Sequence, residues 1–162
     1  MTLAYVGLGS NLDDPADRIA EAITGLAALP GSIVLRRSSL YRSAPWGYAD
    51  QPAFINAVAE LETGLAPRAL LDALLALERA QGRERGGPRW GPRRIDLDLL
   101  LHGDHVSQSE GLELPHPRIG ERAFVLAPLA ELAPQLRVGD SSVTALLAAI
   151  DASDCIRLGP TA

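Results

Sequence analysis

Apolar and polar positions alternate with changing period along the chain, and each change of period marks an element. Residues 3–10, LAYVGLGS, are a short apolar run closed by Gly and Ser, which predicts a strand. Asp14 stands where a helix N-cap belongs, Pro15 fits a first helical position, and Ile19, Ile23 and Leu26 or Ala27 then recur at helical spacing. Residues 32–43, SIVLRRSSLYRS, alternate enough for a strand, and 44–53 form a loop by their Pro, Gly and Asp content. In 54–63, Phe54, Asn56 and Val58 alternate with Ile55, Ala57 and Ala59, a second strand pattern. A helix opens at Pro67 and closes before Gly82, residues 83–94 form a loop, and 95–103 form a strand. A short strand near LELP and helices in 120–134 and 142–150 complete the pattern. The order is β-α-β-β-α-β, an α+β ferredoxin-like sandwich with an extra C-terminal strand and helices. That order is shared by many activities and names none.

Composition narrows the class. A chain of 162 residues with 47% hydrophobic content suits one globular domain, 1–162, with a core that needs no disulfide or metal staple. Apolar runs are too short to span a bilayer, and the first residues predict a strand rather than a leader, so a cytoplasmic protein without membrane contact is expected. The single Cys155 agrees with a reducing compartment and is expected to serve packing. A net charge of -5 argues against nucleic acid as a partner. All 15 cations are arginines, and six of them fall between Arg79 and Arg94 with Glu84 as the one acid in that span. The arginine fork suits phosphate oxygens.

That cluster feeds the most informative stretch, RWGPRRIDLDLLL, residues 89–101. On a strand, Asp96, Asp98 and Leu100 share one face, and Leu97, Leu99 and Leu101 the other, core-facing side. The two aspartate Cα atoms lie about 6.6 Å apart at the usual strand rise. Two carboxylates so close suit an oxygen-loving cation such as Mg²⁺, which keeps water and substrate phosphates in its remaining positions. Taken alone, the pair is a weak signal and reads rather as a solvated strand start with two surface acids. The arginines change the balance, because a metal-bound polyphosphate needs positive forks around it. The Gly and Pro content of 83–94 suits a lid over substrate, with Trp90 covering something flat.

The stretch resembles the signature of the 6-hydroxymethyl-7,8-dihydropterin pyrophosphokinase family. The segments YVGLGSNL, SSLYRSAPWG, DQPAFINAVAELET, LLALERAQGRER and LPHPRIGERAFVLAPLAELAP resemble that family's in the same order, up to about Pro134. The resemblance implies transfer of pyrophosphate from ATP to the pterin hydroxymethyl group, with AMP released, in folate biosynthesis. It implies two Mg²⁺ ions on Asp96 and Asp98, and catalytic arginines at Arg83 and Arg93. Glu78, Arg85, His116 and Arg122 would contact ATP. Phe54 and Phe124 would sandwich the pterin, Asn56 would hydrogen-bond it, and Ser43, Ala44, Trp46 and Trp90 would close around it. A monomer acting on ATP and hydroxymethyldihydropterin is expected. The chain departs from some relatives at Leu75, Gly111, Glu113 and Pro117, all near the expected nucleotide base. GLGSNL lacks the Gly-Lys-Ser/Thr of a P-loop and is expected to be a structural turn.

Two other readings compete. The element order is shared with RNA-recognition modules, but no RNP-type aromatic run is present. An inactive scaffold of the same family would have no use for an intact Asp-x-Asp and its arginines.

Overall fold

The computed structural model describes residues 1–44, 50–82 and 94–159. Ten strands and four α-helices occur among them: β1 Thr2–Ser10, α1 Pro15–Ala27, β2 Ser32–Arg37, β3 Leu40–Ser43, β4 Phe54–Thr63, α2 Pro67–Ala80 and β5 Asp96–His102. The remainder are β6 Ser107–Ser109, β7 Leu112–Leu114, a 3₁₀ turn at Ile119–Glu121, α3 Ala123–Leu132, β8 Arg137–Val138, β9 Ser141–Ser142, α4 Val143–Ala148 and β10 Ile156–Gly159. The main sheet runs β10-β3-β4-β1-β5, with β2 also on β4, and every pairing in it is antiparallel. The expected β-α-β-β-α-β order is present as a mixed α+β fold.

Both faces of the sheet are covered. Ile19, Ile23 and Leu26 of α1 and Leu70 and Leu74 of α2 pack on Val6, Leu8, Ala57, Leu61, Leu97 and Leu99. On the opposite face Val125, Leu126 and Leu129 of α3 and Val143 of α4 pack on Tyr5, Val58, Leu100 and Leu101. The helical and strand periods seen in the sequence are therefore the imprint of these two cores.

Four expectations are corrected. The single strand over 32–43 is two strands, because Ser38 and Ser39 divert the ladder. Ser38 Oγ accepts the Val58 N–H at 2.9 Å, while the Ser39 N–H donates to the Glu131 carboxylate at 3.0 Å. Leu101 joins the same core as Leu100, not that of Leu97 and Leu99. The cause is a register shift in which Tyr5 faces Leu101 but Val6 faces Leu99, leaving Leu100 as a bulge residue. Asp14 does not cap α1 through its side chain; it sits in the left-handed region at φ 60, and its carbonyl accepts from Asp17 and Arg18. The C-terminal part adds two strand hairpins and β10, beyond the single short strand expected.

Candidate active site

Three strands that are distant in sequence build one floor. Gly9 of β1 faces Asn56 of β4 on one side and Asp96 of β5 on the other. One row along, Gly7 faces Val58 and Asp98. With strands about 4.8 Å apart, Asn56 and Asp96 sit roughly 10 Å from each other across Gly9. A Cβ on Gly9 would lie 3.1 Å from Asn56 Oδ1 and 3.9 Å from the Phe54 ring. The absence of that atom keeps the floor flat between an amide and a pair of carboxylates.

Asn56 is 3% exposed, and its Nδ2 donates to Ser43 Oγ at 2.8 Å. That bond turns Oδ1 towards Gly9, so the amide offers an acceptor to the slot. Phe54 stands beside it, opposite Ser43 on β3. At the start of α3, the Arg122 guanidinium lies 5.5 Å from the Phe124 ring centre. Arg122 is only 9% exposed, and its Nη1 is 3.8 Å from Asp98 Oδ2. Burial lowers the guanidinium pKa, and the charges of Asp98 and Asp96 oppose that shift.

His116 approaches Asp98 from the other side, with Nε2 at 4.0 Å from Oδ1. Burial pushes its pKa down to about 4; the Arg122 charge acts in the same direction and Asp96 against it. The imidazole is therefore neutral near pH 7. Its Nδ1 accepts the Arg118 N–H at 3.2 Å, which leaves the ring proton on Nε2, directed towards the carboxylates. A cleft of about 230 Å³ opens beside Asp98 and His116, walled by Leu71, Leu99, Gly111, Glu113 and Pro117 among others. Three positions at which the chain departs from some relatives, Gly111, Glu113 and Pro117, line it; Leu75 does not.

Asp96, Asp98, His116, Arg122, Phe124, Phe54, Asn56 and Ser43 are thus gathered about one face, with Ala44 at the end of the described segment after β3. Glu78, expected at the nucleotide, is 3% exposed on α2, where its Oε2 accepts the Leu97 N–H at 2.7 Å. Trp46, Arg83, Arg85, Trp90 and Arg93 lie outside the described residues. Two pairs of residues in GLGSNL contribute otherwise than as the structural turn expected, because Gly7 to Ser10 are paired strand. Gly7 and Gly9 make the floor, and the spacing of two between them was the available signal. Ser10 and Asn11 tie down chain ends around the site: Ser10 Oγ donates to the Arg94 carbonyl, and Asn11 Nδ2 donates to Gln51 Oε1 at 2.9 Å and to the Pro52 carbonyl at 3.0 Å.

The family model described as 7,8-dihydro-6-hydroxymethylpterin-pyrophosphokinase (HPPK) matches residues 5–134. The chain belongs to the HPPK family. A Methylorubrum extorquens 2-amino-4-hydroxy-6-hydroxymethyldihydropteridine pyrophosphokinase is 48% identical over 158 residues, covering 98% of this chain and 99% of that relative. A Pseudomonas aeruginosa protein of the same description is 52% identical over 136 residues, or 84% of this chain and 83% of its own length. Among solved structures, an HPPK-DHPS in complex with substrates superposes with a TM-score of 0.69 over 91% of this chain at 12% identity. Wild-type Plasmodium falciparum HPPK-DHPS with pteroate gives 0.72 over 91% at 14% identity. This chain spans 43% and 42% of those two longer chains, and the likeness is one of fold. The match to the HPPK family covers the strands and loops that carry the floor, the carboxylate pair, His116 and Arg122.

Proposed function

We propose that this chain moves a pyrophosphoryl group from ATP to the hydroxymethyl oxygen of 6-hydroxymethyl-7,8-dihydropterin, releasing AMP, as a step of folate biosynthesis. The pterin oxygen attacks the β-phosphorus, the bond from that phosphorus to the oxygen shared with the α-phosphate breaks, and the hydroxyl proton is lost. The observation that carries the reading is the placement of the carboxylate pair, a neutral His116 and the buried Arg122 across a glycine floor from Asn56 and Phe54. The near full-length relatives support the same activity.

Mg²⁺ suits the donor set. Asp96 and Asp98 offer oxygen only, and no group of three His, Cys, Asp or Glu residues surrounds a metal position among the described residues. A site that two carboxylates leave incomplete is one that phosphate oxygens and water complete. Asp96 and Asp98 would hold two such ions, which would supply charge neutralisation for the phosphate groups and the attacking oxygen. Asp96 and Asp98 hold them on a strand stiffened by core contacts of Leu97 and Leu99. His116 donates through Nε2–H to a phosphate oxygen, and Arg122 supplies a fixed positive charge with little solvent to screen it. Arg83, Arg85 and Arg93 add their forks to the phosphates. Asn56 Oδ1 accepts from the N–H edge of the pterin while Ser43 holds the amide. Phe54 and Phe124 stack the ring, and Ala44, Trp46 and Trp90 close around it. The cleft beside His116 takes the nucleotide base. The chain acts as a single-domain monomer in the cytoplasm.

The test is an AMP assay on purified protein with ATP and Mg²⁺, with and without the pterin. Wild type is expected to form AMP only when the pterin is present. Asp98→Ala is expected to lose at least about 10²-fold in kcat, as when one electrostatic stabiliser is removed elsewhere, while keeping its melting temperature. Near-normal turnover in that variant contradicts the metal assignment. Retention of single-stranded RNA on a filter by wild type would favour the RNA-recognition reading instead.

A further inference from the structure

We propose that Glu78 is a positioning residue for the carboxylate pair: its buried carboxylate pins the backbone between Asp96 and Asp98 instead of touching the nucleotide. The inference rests on the metal reading given above and concerns how the pair is held.

Glu78 sits in the last turn of α2 at 3% exposure, and it is not among the residues that wall the cleft beside His116. Its Oε2 takes the Leu97 N–H at 2.7 Å, the short end of the range for a charge-assisted bond. Leu97 stands between the two aspartates, and its N–H belongs to the peptide unit that joins it to Asp96. Fixing that peptide plane fixes the directions in which both flanking side chains leave the strand.

The strand needs such a hold. Among the described residues β5 pairs with β1 alone, so its outer edge has no neighbouring strand. On its inner edge the ladder slips at Leu100, two residues beyond Asp98. Two contacts stitch the outer edge instead. Glu78 takes the Leu97 N–H, and the His116 N–H donates to the Leu100 carbonyl at 2.9 Å. These pins bracket Asp98. Burying a carboxylate is unfavourable unless it meets strong donors, so a glutamate at this helix position, rather than an apolar residue, marks the contact as specified. Metal sites depend on such outer contacts, whose loss typically weakens metal affinity about 10- to 100-fold.

The experiment measures Mn²⁺ binding by electron paramagnetic resonance on protein saturated with a non-hydrolysable ATP analogue. Affinity for the metal-free analogue in EDTA and hydrogen exchange of the Leu97 amide are measured in parallel. Glu78→Gln keeps an oxygen acceptor and is expected to bind Mn²⁺ within about twofold of wild type, with Leu97 exchange unchanged. Glu78→Leu is expected to weaken Mn²⁺ about tenfold or more. It should speed Leu97 exchange and leave affinity for the metal-free analogue within about twofold. Glu78→Met, closer in shape, serves if the leucine variant does not fold. A glutamine variant as impaired as the apolar one overturns the proposal, since charge and not the hydrogen bond would then matter. So does an apolar variant that loses analogue affinity while Mn²⁺ binding stays intact, which would make Glu78 a nucleotide contact. Asp96→Ala separates the two layers: if it binds Mn²⁺ like wild type, the metal reading itself has failed.

Discussion

His116 shows how much one environment changes a side chain. An imidazole normally titrates near 6.5, but burial and the Arg122 charge bring this one down to about 4. The unfolded chain therefore binds a proton between those values that the folded chain refuses, so stability falls as pH drops through that window. His116→Gln should remove this loss and narrow the difference in unfolding free energy between pH 7 and pH 4 by on the order of 2 kcal/mol. Urea titrations at the two pH values measure it, and identical pH dependence in both proteins contradicts the assignment. Phe124 is tested differently. Its replacement by Ala should weaken pterin binding beyond the loss of area by about 0.5–1.5 kcal/mol while nucleotide affinity changes less. Calorimetry with each ligand reads the split, and equal losses reject the stacking role. At this scale the sequence was legible where spacing decides, as for Asp96 and Asp98, whose separation of two puts them on one half-exposed strand face. It was silent where a side chain's direction decides, as for Glu78, whose helix position suits a surface acid as well as a buried pin.

Elements were legible where a local period is strong. The alternation of β4 and the Pro-initiated α2 follow directly from the residues. The break between β2 and β3 did not, because its cause lies 92 residues away: the Glu131 carboxylate of α3 accepts from the Ser39 N–H and Oγ. It also accepts from the Tyr41 hydroxyl at 2.8 Å. Burial, and after it the Glu131 bond, raises the Tyr41 pKa, so the phenol keeps its proton. The four residues of β10 have too little pattern to announce a strand, and Arg157 fastens them through Ser39 Oγ at 3.1 Å. Glu131→Ala should leave the buried Ser39 N–H and Tyr41 O–H without that acceptor and destabilise the fold by about 2–6 kcal/mol, at about 1–3 kcal/mol for each. Because Tyr41 faces Asn56 across the β3–β4 ladder, pterin affinity should fall as well. Chemical denaturation and calorimetry test both; an unchanged denaturation midpoint contradicts this role.

The whole molecule places residues 7–9, 56–58 and 96–98 side by side because the strand between β4 and β5 is β1. The element order in the sequence implied that central place, and the resemblance to the HPPK family implied the carboxylate and pterin ends of the site. The flat floor between them was not foreseen, since a glycine in a strand declares nothing until its neighbours are known. The proposed transfer of a pyrophosphoryl unit, in one step from a nucleotide to a flat ring, runs between the two sides of that floor, roughly 10 Å apart at strand spacing. Phosphorus-31 NMR of the completed reaction tests that claim most directly. Equimolar AMP and a pterin diphosphate, with no ADP and no pterin monophosphate at any time, is the predicted result. ADP with a pterin monophosphate, or AMP formed at the same rate without the pterin, would contradict it.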